Sequence, residues 1–257
     1  KSLEIALAIT EQEADVEEDQ KEKVAISDLI KRLIEQVAFE ARASEFVDKK
    51  SGVSARLTIS AFENAVSSAE RRAILNKEKQ TQVWLSDLVG IIPSITGKIE
   101  LVYEGEQEGP YQVAMNLLDR SIRTQFSQFF PNPDTLKKRS GRKGDTPEVV
   151  DNPYRSVINW FDKGNHINLL FGTTDREKIN QLYKVDGLHP LVKKHFPHAN
   201  EKESALLMEF VLHGLASFSL ISKKILETSV EFKDLMGSML NIQSSGSFDE
   251  EDEEDFR

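Results

Sequence analysis

From residue 28 onward, apolar side chains recur three and four positions apart: Leu29, Ile30, Leu33, Ile34, Val37, Ala38 and Ala41. That spacing places them on one stripe of a helix, with Ser27 positioned to cap its start, and the pattern predicts a stop near Gly52. A second stripe, Phe62, Ala65, Val66, Ala69 and Ala73, follows Ser60, and Glu63 three residues after that serine completes a capping-box pattern. Residues 86–92 read as a short helix stopped by Pro93, and 98–104 alternate as a half-buried strand would. Pro110 suits the first turn of a long helix whose buried face is Val113, Ala114, Leu117, Leu118, Ile122, Phe126 and Phe129. Helical patterns then cover 153–162, 175–184 and 188–195, and a long one runs from 201 to about 226.

These elements predict a mainly α chain: a helical unit over 27–130 with a short β element, followed by a second helical unit over 153–243. Residues 1–26 form an acidic N-terminal segment, with Glu11, Glu13, Asp15, Glu17, Glu18 and Asp19 close together. Between the two units, 131–152 combine prolines and glycines with Lys137, Lys138, Arg139, Arg142 and Lys143, the composition of a flexible basic linker. Residues 244–257 are Ser/Gly-rich and then carry seven consecutive acids, 249–255, so a disordered acidic tail is expected.

A chain of 257 residues with 39% hydrophobic content is long enough to bury a substantial core. Its formal net charge of -10 owes most to the acidic run. Without a surplus of Lys and Arg on one face, phosphate neutralisation is weak, which argues against nucleic acid as a partner. No cysteine is present, which excludes disulfides, thiolate metal sites and thiol nucleophiles, and suits a reducing compartment, the cytoplasm by default. The chain opens at Lys1, and Glu4 interrupts the short apolar stretch after it, so the start reads as a cut end and not as a secretory signal. The most apolar segment, 205–222, carries Glu209 and His213 and is expected to be a buried core helix, not a membrane span.

Catalytic signatures are missing. A phosphate-cradling loop needs fixed glycines followed by Lys and a hydroxyl residue. The nearest approach is Gly97-Lys98, but Ile92 stands where the first glycine belongs and Ile99 replaces the hydroxyl. No strand ends in Asp-Glu to hold Mg²⁺, and no Gly-x-Ser-x-Gly elbow occurs. His189, His195 and His198 invite a metal reading, yet Pro197 breaks the turn between the last two, and ordinary histidines of a surface loop are the better expectation. His213, on an apolar helix, is expected to be a core histidine with a satisfied hydrogen bond. No catalytic residue and no metal ligand is assigned.

The run Ser51-Gly52-Val53-Ser54-Ala55-Arg56-Leu57 resembles the signature that opens the sensor-2 helix of MoxR-type and magnesium-chelatase I-subunit-like AAA+ ATPases. Flanking residues extend the resemblance: Glu40-Ala41-Arg42 before it, then Glu63-Asn64-Ala65-Val66 and Ala69-Glu70-Arg71-Arg72-Ala73. Further on, Ile95-Thr96-Gly97-Lys98-Ile99-Glu100-Leu101, Tyr103-Glu104-Gly105-Glu106, Asn152-Pro153-Tyr154-Arg155, Trp160-Phe161 and Met208-Glu209-Phe210-Val211-Leu212 look like the chelatase-like subgroup. The resemblance implies a helical lid-type bundle and tail that senses ATP through Arg56, with Arg42, Arg71 and Arg72 as secondary contacts or as residues lining a solvated helix face. It further implies ATP and Mg²⁺ in the parent protein, an AAA+ core preceding this region, neighbouring subunits of a ring, and a von Willebrand A domain partner. This chain alone is expected neither to hydrolyse ATP nor to hold a cofactor. The alternative is a non-catalytic helical scaffold for protein contacts.

Overall fold

The computed structural model describes residues 2–135 and 152–235 and is mainly helical with a few short strands. The expected tail 244–257 and most of the expected linker, including Lys137, Lys138, Arg139, Arg142 and Lys143, lie outside the described residues.

The helix predicted from residue 28 is α3, Asp28–Ala43, and Ser27 caps it by accepting from the Ile30 amide at 3.3 Å. Its stripe is buried as the spacing predicts. The helix ends at Ala43, well before Gly52, because the next residues are claimed by long-range pairing. Val47 bridges Leu101, Asp48 donates its amide to Glu100 at 2.8 Å, and Val102 donates to Phe46 at 3.0 Å. That bridge is all that forms of the expected strand over 98–104, since Tyr103 already opens a short helix, α6, Tyr103–Glu108.

Helix α4, Arg56–Leu75, starts one turn earlier than expected, so Ser60 lies inside it and is no cap. Glu63 instead accepts from the Asp15 amide at 3.0 Å, tying down the N-terminal segment. That segment forms α1, Leu3–Glu13, and α2, Glu18–Lys23, leading into β1, Val24–Ala25, which pairs in parallel with β2, Thr81–Gln82. A 3-10 helix, Leu85–Ile91, runs into α5, Ile92–Thr96, so Pro93 opens a turn where a stop is predicted. Helix α7, Pro110–Phe129, has its proline at the start, as expected.

After residue 152 come α8, Arg155–Asp162, α9, Asp175–Leu182, and α10, Leu188–His195. The long helix expected to about 226 is α11, Glu201–Ser217, and it stops early. Ser219 adopts a left-handed φ of 54°, and the Leu220 and Ser219 amides bond back to Leu215 and Ala216 at 2.9 Å each, a Schellman turn without its usual glycine. The chain then forms a hairpin, β4, Ser222–Ile225, and β5, Ser229–Lys233. β5 pairs antiparallel with both β4 and β3, Ile167–Leu170.

Both predicted units share one apolar core that runs from Val24 to Phe232. Phe126 on α7 lies at its centre, with ring centroids 5.5 Å from Phe130, 5.6 Å from Phe210, 5.7 Å from Phe218 and 5.9 Å from Tyr154. Gly214 on α11 lets this packing close, since a Cβ there would overlap the Phe126 ring. Gly214→Ala is therefore expected to cost about 1–3 kcal/mol through overpacking. Urea denaturation checks it, and a loss under about 0.5 kcal/mol would mean that the ring moves aside freely. Among the described residues no helix is long and apolar enough to cross a membrane.

Candidate functional site

The connection between α3 and α4 carries the predicted sensor. Gly52 takes a left-handed φ of 70°, and Ser54 starts the helix by accepting from the Arg56 amide at 3.2 Å while its carbonyl accepts from Leu57 at 3.1 Å. Leu57 and Thr58 turn inward and are buried, whereas Arg56 is exposed, and its guanidinium has no hydrogen bond or ion pair with any described residue. Arg42 donates to the Val53 carbonyl at 3.1 Å and stands 5.4 Å from the Phe39 ring centroid, so it braces the turn that presents Arg56. Beside this turn lies a cavity of ≈ 280 Å³ whose lining includes Glu35, Phe39, Arg42, Val53 and Thr58. Glu35 is buried there and accepts from Thr10 Oγ1 at 2.5 Å, with Thr58 Oγ1 2.9 Å from the same hydroxyl.

Arg71 and Arg72 part company. Arg71 is exposed, but Arg72 is only 3% accessible and does not line a solvated face. Its Nε and Nη2 grip the Asp87 carboxylate at 3.1 Å each, and Nη1 reaches Asp175 at 3.0 Å. Nη2 also donates to Thr81 Oγ1 at 3.0 Å and to the Gln82 carbonyl at 2.9 Å. Asp175 accepts in addition from Trp84 Nε1 and Thr81 Oγ1, both at 2.8 Å, and from Lys202 Nζ at 3.0 Å. Burial raises the Asp175 carboxyl, but the donors Trp84, Lys202 and Thr81 and the Arg72 charge outweigh it and hold the group below the usual carboxylate range. Burial likewise works against the Arg72 charge, yet Asp87 and Asp175 raise its proton affinity further.

A second buried pair adjoins the first. Glu209 accepts from the Leu85 and Ser86 amides at 3.0 and 3.2 Å, capping the 3-10 helix, and Lys178 Nζ lies 3.9 Å away, donating to Ser86 Oγ. Burial pushes the Glu209 carboxyl up, with Lys178 opposing and Asp87 reinforcing. Together the two clusters join α4 and the 3-10 helix to α9 and α11. With Arg72, Lys178 and Lys202 set among Glu78, Asp87, Asp175 and Glu209 and almost every polar atom bonded, they are built to fix geometry.

The signal for Arg72 is present in the sequence: it lies three residues after Ala69 and beside Ala73, on the buried stripe of α4. Its acceptors Asp87 and Asp175 are 15 and 103 residues away, with no local mark. Among the described residues no group of three or more His, Asp or Glu is placed to hold a metal ion; the His189 ring lies tilted against Tyr183 at 4.8 Å, and His195 packs edge-on against Phe130 at 5.4 Å. Contrary to expectation, His213 is buried with neither ring nitrogen bonded, 5.1 Å from the Phe232 ring.

Burial, with Lys223 and Lys178 adding repulsion, holds His213 well below its ordinary value of 6.5. The unfolded chain then binds a proton more readily than the folded one, so His213 costs stability as pH falls below about 6.5. His213→Leu is expected to flatten the loss of melting temperature between about pH 7 and 5. Parallel pH profiles of wild type and variant would remove His213 as a cause.

A scan of known protein families and searches of curated proteins and solved structures return no match to this chain.

Proposed function

We propose that this chain is the lid and C-terminal region of an AAA+ ATPase of the magnesium-chelatase and MoxR type, in which Arg56 reads the γ-phosphate of ATP. One observation carries the reading: Arg56, the first residue of α4, is exposed and has no partner among the described residues, while Leu57 and Thr58 after it are buried. A guanidinium presents a rigid planar fork of donors, suited to phosphate oxygens. Held on a helix that is packed elsewhere, it is left free for a ligand outside the lid.

Bound ATP supplies the phosphoryl group. The part of this chain is to place one positive fork beside the oxygens where charge develops, and to withdraw it when the lid opens. The exposed Arg56 fork suits the anion, and in this reading Mg²⁺ is held by the AAA+ core. Arg42 serves as a brace, through its bond to Val53. In this reading the intact protein works in the cytoplasm as a ring and remodels a partner, with a von Willebrand A domain protein among its associates.

The test is steady-state ATP turnover, with thermal melts, of the intact protein and of Arg56→Ala. Unchanged turnover would make Arg56 an ordinary surface residue and favour the scaffold alternative.

A further inference from the structure

The far end of α4 presents a second surface. Ile74 is 59% and Leu75 68% exposed on its last turn, and Arg71 stands one turn earlier on the same side. Lys77 then takes a left-handed φ of 58°, and the Lys77 and Glu78 amides bond back to Ile74 and Ala73 at 3.1 and 2.9 Å, closing a Schellman turn. Asn76 Nδ2 donates to the Gly172 carbonyl at 2.8 Å, which joins this turn to the end of β3. There Leu170 is 50% exposed, and Leu226, at the tip of the β4–β5 hairpin, is 37% exposed. Leu170 pairs with Ser229, and the Leu226 amide donates to the Ser229 carbonyl at 2.8 Å, so the two leucines flank one small residue. Four large aliphatic side chains thus lie on two turns that the Asn76–Gly172 bond joins, exposing between them roughly 400 Å² of apolar surface, the scale of a functional patch on a monomer.

The charge around this patch runs against the character of the chain. The protein is acidic, with a net charge of -10, but Arg71, Lys77, Lys79 and Lys224 are all exposed here, and none has an ion pair with a described residue. The acids on these turns are mostly engaged: Glu78 accepts from the Asp175 amide and faces Arg72, and Glu231 pairs with Lys233 at 3.5 Å, leaving Glu227, and Glu177 where it accepts from Thr173 and Thr174, against four cations. We propose that this surface docks a short acidic segment of a partner protein, anchored by leucine or aromatic side chains. The patch is half the roughly 800 Å² per side of a stable protein interface, which suits a peptide and not a folded domain. A second copy is disfavoured because it would set four cations against four. The inference is independent of Arg56, which lies about 27 Å away along the helix.

The test is fluorescence anisotropy with the full chain and two labelled peptides, one alternating Glu and Leu, the other Lys and Leu. Saturable binding of the acidic peptide is expected, falling at least about tenfold in Leu75→Ser with Leu170→Thr, and again in Arg71→Glu with Lys79→Glu. Binding should also weaken between about 50 and 300 mM salt, and Ile5→Ser with Tyr111→Ser, exposed apolar residues elsewhere, should leave it unchanged. Melting curves check that each variant is folded. Absent binding, equal binding of the Lys peptide, or insensitivity to both patch variants overturns the proposal. So does markedly tighter binding by a full-length variant with acids 249–255 changed to serine, because the chain's own segment would then be the occupant.

Discussion

Arg72→Ala is expected to lower the unfolding free energy by about 3–5 kcal/mol, the scale set by removing one partner of a buried ion pair. The loss exceeds that of an exposed pair because Asp87 and Asp175 stay behind, both nearly inaccessible, without their shared cation. Lys202, Trp84 and Thr81 still donate to Asp175, but Asp87 has no other ion pair among the described residues. Arg72→Lys should rescue little, since one ammonium cannot span the four acceptors Asp87, Asp175, Thr81 and Gln82 that a planar guanidinium reaches at once. A pH signature accompanies the loss. In the wild type the depressed Asp175 contributes stability that is present above its ordinary value of 3.8 and lost as pH falls through the lower folded value. Without Arg72 that depression shrinks, so the variant should lose less on acidification. Urea titrations followed by Trp84 fluorescence measure both, because its indole donates to Asp175. A loss below about 1 kcal/mol would reduce the network to the worth of a surface pair.

Arg56→Ala in the intact protein should cut ATP turnover by about three to five decades while leaving the melt unshifted. Such a loss corresponds to about 4–7 kcal/mol of transition-state stabilisation, several times what a surface ion pair contributes to folding. The fold has little to lose: the guanidinium touches no described partner, and the helix start is held by Ser54 through backbone amides. Arg56→Lys keeps the charge without the fork and should fall between the two. In the proposed reading transmission also depends on Arg72. Helix α4 is a rod of about 30 Å with Arg56 at one end and the buried network near the other, so a pull on Arg56 is expected to move α9 and α11 with it. An Arg72 variant that stays folded should therefore retain ATP binding and weaken the coupling of lid closure to turnover.

Local physics made much of the chain legible. The stripes of α3 and α7, the cap at Ser27, Pro110 at a helix start and the bounds of α10 stem from periodicity and from side chains bonding to amides a few residues away. The exposure of Arg56 belongs with these, since Leu57, Thr58 and Ala61 fix which way the first turn of α4 faces. Tertiary structure decided what depends on distant residues. Helices α4 and α11 end in left-handed turns at Lys77 and Ser219, side chains that carry no stop signal, because the residues just beyond each turn pair with other parts of the chain: Thr81 and Gln82 with β1, and Ser222 to Ile225 with β5. The sheet joins residue 167 to 232, a pairing too remote for either short run to announce alone. The single core arises because α7 serves both α3 and α11, and Arg72 became a buried hub only when Asp87 and Asp175 closed around it. A charge on an apolar stripe is tolerable only with its acceptors in place, and those acceptors are supplied by the fold.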